Sequence, residues 1–149
     1  MKKFILPSIF AFGLLFSCNN DDDSSIDNAN IVGTWSFVKS QIQYSKDNKI
    51  EDEEIADACS SKSTFIYSSD NKYSDEWYYN YQGTCQKDGS DKGKYTITGN
   101  KIRYDYEIGD YDEKEIIKLT KNELILKSDY GEDLDKDGKN EIDILVLKR

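Results

Sequence analysis

The chain is 149 residues long and acidic, with 29 aspartates and glutamates against 20 lysines and arginines, no histidine, and a formal charge of −9 at pH 7. That length suits one domain with a single core. The charge repels nucleic acid and anionic headgroups, which argues against DNA or RNA as partners, and the missing histidine excludes histidine-based triads and histidine metal sites.

In chain order, residues 1–17 open with Met1-Lys2-Lys3 and continue as an apolar run from Phe4 to Phe16, the pattern of a secretory signal. The run is broken by Pro7, Ser8 and Gly13, and it is too short for a membrane span of about 20 residues. Leu15-Phe16-Ser17-Cys18 follows and resembles the lipobox of bacterial lipoproteins, a resemblance that points to Gram-negative bacteria. It implies acyl chains on Cys18, and several chains at about 0.8 kcal/mol per buried methylene hold a protein on a membrane for good. Residues 18–29 then read as a lipidated acidic linker. Asp21-Asp22-Asp23 either resembles a signal for display on the outer face of the outer membrane or extends the leash by repulsion. The expected location is the outer membrane, lipid-anchored through Cys18 and facing the cell exterior. Cleavage before Cys18 removes Lys2 and Lys3 and moves the formal charge from −9 to −11.

Residues 30–149 form the expected folded domain, and strand signals dominate it. Gly33 to Tyr44 is the first run; Lys46 to Ser61 is a polar crossover in which residues 51–58 have room for two turns of helix. Lys62 to Ser68 and Tyr73 to Tyr81 come next, the latter with Tyr73, Trp77, Tyr79 and Tyr81 on one face. A glycine-bearing loop leads to Lys94 to Thr98, and Gly99-Asn100 marks a tight hairpin. Lys101 to Ile108 shows the cleanest alternation: Ile102, Tyr104, Tyr106 and Ile108 against Lys101, Arg103, Asp105 and Glu107. Lys114 to Thr120, Glu123 to Asp129 and Ile142 to Lys148 complete eight strands. Eight short hairpin-linked strands fit either an up-and-down barrel or a two-sheet sandwich, and eight is the count at which a barrel just holds one small ligand.

Gly33-Thr34-Trp35 at the opening of the first strand, with this strand count, resembles the lipocalin-like domain of secreted bacterial lipoproteins. The resemblance implies an all-β, eight-stranded antiparallel up-and-down barrel, lipocalin-like, to which residues 51–58 would add one short helix in the first crossover. It also implies a basic residue near the last strand covering the tryptophan, a role open to Arg149 or Lys148. The aromatic residues suggest either a ligand cavity lined by Trp35, Phe37, Phe65, Tyr67, Trp77, Tyr79, Tyr95, Tyr104 and Tyr106, or a filled core of packed rings.

With Cys18 lipidated, Cys59 and Cys85 remain as an even pair in an oxidising compartment, the arithmetic of a disulfide contributing about 3 kcal/mol. Asp133-Leu134-Asp135-Lys136-Asp137-Gly138 fits the start of a calcium loop. Asp133, Asp135 and Asp137 would bind through carboxylates, Lys139 through its carbonyl, and Glu141 directly or through water. Position twelve is Ile144 rather than glutamate, and the alternative is an acidic hairpin turn without metal. No serine sits in a nucleophile elbow and no cysteine is left free, so no enzyme is expected. The expected activity is therefore non-enzymatic binding of a small amphipathic or hydrophobic ligand. The rival is a solid barrel that docks onto a protein partner in a surface uptake or assembly complex.

Overall fold

The computed structural model describes residues 28–149. The signal segment 1–17, the lipidation site Cys18 and the linker up to residue 27 lie outside the described residues. Ten antiparallel strands follow in order: β1 Gly33–Gln43, β2 Ile50–Ile55, β3 Thr64–Tyr67, β4 Lys72–Tyr81, β5 Thr84–Gly89, β6 Lys92–Thr98, β7 Lys101–Tyr106, β8 Tyr111–Leu119, β9 Glu123–Asp129 and β10 Ile142–Lys148. Eight of them close a barrel in simple up-and-down order, β1-β3-β4-β6-β7-β8-β9-β10, with β10 pairing back onto β1 from Ser36↔Lys148 to Gln43↔Ile142. The expected closed eight-stranded barrel is thus observed, and these are the eight strands the alternation marks.

Two strands were not anticipated. Residues 51–58 do not make the expected helix; Ile50–Ile55 instead pairs with the upper half of β1, Lys39 to Gln43, where the short β3 leaves that edge free. β5 likewise pairs with Trp77 to Tyr81, the part of β4 that outruns β3. Every residue of β2 and β5 is exposed, so neither carries the buried face that alternation detects. Both are held by ladder hydrogen bonds and by the disulfide Cys59–Cys85, Cα atoms 5.4 Å apart, which ties the segment before β3 to β5. Buried Ser63 completes the join, its carbonyl accepting from Phe37 N–H at 3.1 Å and its hydroxyl from Tyr78 N–H at 2.9 Å.

The floor of the barrel is closed by Trp35, fully buried with Ile31, Leu124 and Leu147. Its indole N–H donates to the Ile31 carbonyl at 2.8 Å, and the Arg149 guanidinium lies 4.3 Å from the ring centroid. Arg149 then donates to the carbonyls of Asn30 (2.8 Å), Val32 (2.7 Å) and Lys121, lacing the first segment to the β8–β9 turn. Gly33 is required by this clamp: its φ is +143° and an added Cβ would meet Arg149 Nη1 at 2.5 Å. Of the two candidates, Arg149 is therefore the residue that covers the tryptophan.

Candidate functional site

Above the floor the interior changes character along its axis. The lower layer is aliphatic and indole; the upper layer, built from the same inward parity of each strand, is tyrosine and carboxylate. Parity on β4 sends Tyr73, Asp75 and Trp77 inward; on β7, Tyr104 and Tyr106; on β8, Asp112 and Lys114; on β10, Asp143 and Leu145. Together with Ser40, Phe65, Tyr67, Asp91 and Leu126 these side chains line a cavity of about 310 Å³. A wider hollow of about 500 Å³ at the floor, beside Val32, Asn71 and Ile97, is more open and has no charged lining residue.

Ring packing shapes the cavity wall. Phe65 stands edge-on to Trp77 with centroids 4.8 Å apart, Tyr73 lies 4.6 Å from Tyr104, and Tyr104 stacks on Tyr106 at 6.3 Å and 9°. The buried hydroxyls are partnered: Tyr67 and Tyr104 share a hydrogen bond at 2.8 Å, and Tyr73 donates to Asp75 Oδ2 at 2.5 Å. Burial pushes the phenols of Tyr67, Tyr73 and Tyr104 well above the ordinary tyrosine range, so these rings stay neutral donors. Asp75, only 6 % exposed, also accepts from Asp91 N–H at 2.9 Å. Burial raises its carboxyl above the ordinary value, and these two hydrogen bonds to the ionised form pull against that rise.

Of the nine expected lining residues, the cavity gathers Phe65, Tyr67, Trp77, Tyr104 and Tyr106. Trp35 is below it, in the floor. Phe37 packs behind Trp77 with centroids 6.0 Å apart, and Tyr95 turns its hydroxyl to the Ser68 carbonyl at 3.0 Å. Tyr79 is exposed, because β4 has left the barrel wall by then and pairs with β5, where its hydroxyl reaches Gln86 at 3.2 Å. Sequence reasoning missed Asp75, Asp112, Lys114 and Asp143. Their signal was available in the parity itself: Asp75, Lys114 and Asp143 each stand two residues from an inward apolar or aromatic neighbour, and Asp112 stands two residues before Lys114.

The acidic loop between β9 and β10 lies on the same rim. Asp133, Asp135 and Glu141 each bring a carboxylate oxygen within 4.8 Å of the others. Asp137 lies outside that group; its carboxylate accepts from Lys139 N–H at 2.9 Å. Glu141, 1 % exposed, accepts from the backbone N–H of Ser45 (3.0 Å), Leu134 (3.2 Å) and Asp135 (3.3 Å), pinning the loop to the β1–β2 turn. Ser45 Oγ and Asp135 Oδ2 are buried without a hydrogen-bond partner, the latter facing the Lys46 ammonium as an ion pair. Lys46 holds the Asp135 carboxyl below its ordinary range. These oxygens suit a hard cation, and the tethered ammonium of Lys46 is the charge a metal would have to replace.

A family model described as a lipocalin-like domain matches residues 31–126. Among solved structures, a lipocalin-like protein from Bacteroides uniformis is 12 % identical with a TM-score of 0.51, over 80 % of this chain and 98 % of that one. An uncharacterized protein from Bacteroides eggerthii is 12 % identical with a TM-score of 0.49, over 79 % and 98 %. A complex of bovine odorant binding protein with a selenium-containing odorant is 14 % identical with a TM-score of 0.44, over 80 % and 70 %. The Bacteroides uniformis likeness, at 12 % identity, speaks to the fold and not to a guest. No curated protein matches the chain.

Proposed function

Since the chain belongs to the lipocalin-like domain family, whose fold typically serves binding of small hydrophobic ligands, we propose that it is a non-enzymatic binder of a small amphipathic molecule. The observation that carries this reading is the cavity of about 310 Å³, walled by five of the expected aromatic residues. Pockets for small molecules start at about 300 Å³ and combine apolar walls with a few convergent polar groups. Its place in the cell is proposed from the lipobox-like Leu15 to Cys18: a lipid anchor holding the domain on the outer membrane. The rival reading, docking onto a surface protein, draws support from exposed Ile108 and Tyr111 beside the β7–β8 turn, 80 % and 60 % accessible.

The two tryptophans separate these readings, because Trp77 lines the cavity and Trp35 is sealed beneath it. A naphthalene-based hydrophobic probe is expected to quench the emission of wild type and of Trp35→Phe at micromolar concentrations, and to leave Trp77→Phe unquenched. Equal quenching in wild type and Trp77→Phe, or none at all, would place the probe elsewhere and favour the docking surface.

A further inference from the structure

The charge lining the cavity is lopsided. Four carboxylates face it, Asp75 from β4, Asp91 from the β5–β6 turn, Asp112 from β8 and Asp143 from β10, against the single ammonium of Lys114. Lys114 is already committed: its Nζ pairs with Asp112 Oδ2 at 3.0 Å and donates to Ser128 Oγ at 3.2 Å, and Ser128 Oγ donates in turn to Asp143 Oδ2 at 3.3 Å. On the opposite wall no lysine or arginine among the described residues pairs with Asp75 or Asp91.

Asp75 and Asp91 adjoin each other, the backbone N–H of Asp91 reaching Asp75 Oδ1 at 2.9 Å. Asp75 accepts from Tyr73 at one oxygen and from Asp91 at the other, and the Trp77 indole acts on the carboxyl as a third donor; a carboxylate offers about four acceptor sites, so one remains for a guest. A nearly buried carboxylate without a countercharge is costly, and a cation of the guest would supply what the protein does not. The surrounding walls suit such a guest: Tyr73, Tyr104 and Tyr106 line the cavity, and aromatic rings attract a cation through their quadrupoles. A fatty acid carboxylate would meet like charge on both walls.

We propose that the cavity is selective for a small organic cation, a protonated amine on an apolar ring-bearing body, with its ammonium between Asp75 and Asp91 and its body against Tyr73, Tyr104 and Tyr106. This rests on the cavity being the binding site, as proposed above.

Three probes of one shape and three charges test it by calorimetry: 3-phenylpropylammonium, 3-phenylpropan-1-ol and 3-phenylpropionate. The cation is expected to bind about tenfold or more tightly than the alcohol, the anion more weakly than either, and added salt to weaken only the cation. Asp75→Asn is expected to bring the cation down to the level of the alcohol and to leave the alcohol within about twofold. Asp91→Asn, in an exposed turn, repeats the comparison without touching the buried position. Anion binding as tight as the cation, or a cation preference unchanged in both variants, overturns the charge selectivity while the cavity remains a binding site. Absence of binding by all three overturns the binding reading itself and the selectivity with it.

Discussion

Trp35 and Arg149 hold the floor of the barrel through contacts made by one side chain each, so substitutions there separate the packing contribution from the polar one. Trp35→Ala empties a fully buried site and is expected to cost about 3–5 kcal/mol in urea denaturation. Arg149→Ala keeps the indole but removes its stacked cation and three carbonyl partners, and a loss of about 1–2 kcal/mol is expected, with Lys148→Ala as the near-neutral control. Asp75 shows the opposite kind of residue, one that serves the cavity at the expense of the fold. Its folded carboxyl titrates above the unfolded value of 3.8. Its contribution is therefore fully present below about 3.8 and is lost as pH rises through the folded value. Asp75→Asn removes that loss, so its stability relative to wild type is expected to improve between pH 3 and pH 7. A difference that stays flat across this range, measured by urea melts at both ends, would show that the carboxyl is not held high.

At the scale of elements, what could be read depended on whether a strand has a buried face. Ile102, Tyr104 and Tyr106 on β7 alternate with charged residues because one side is core, and the strand is legible at sight. β2 and β5 have no such side; Ile50-Glu51-Asp52-Glu53-Glu54-Ile55 has the composition of a helix and becomes a strand only because an edge of β1 is free to pair. Tyr79 was misplaced for a related reason: alternation along β4 continues past the point where β3 ends, but the barrel wall does not. The β9–β10 loop was legible as a cluster of hard oxygen donors, and what the sequence could not reveal was Lys46 arriving from the distant β1–β2 turn. The expectation of a calcium loop has a direct test. Extracellular sites bind with dissociation constants of about 0.1–1 mM, worth about 0.4–1.4 kcal/mol at about 1 mM calcium, so Tm is expected to rise by a few degrees. The Asp135→Ala, Asp137→Ala double variant is expected to lose that rise, and an equal rise in both proteins would remove calcium from the loop.

For the whole molecule, closure and strand number were legible because eight alternating runs leave few arrangements that bury every inward face, and the glycine-tryptophan opening pointed to the one observed. The graded interior was harder to foresee. It emerges only when the inward parities of β4, β7, β8 and β10 are combined in the closed barrel, which brings Asp75, Tyr106, Asp112 and Asp143 to the wall of one cavity. The described chain also enters at a particular place: Asn30 and Val32 are fastened to Arg149 beneath the barrel, on the side away from the tyrosine-carboxylate layer. The lipid anchor proposed above would therefore pull on this base, like a stalk on a cup. A guest would then arrive from and depart into the surrounding water, without first crossing the surface on which the cup stands.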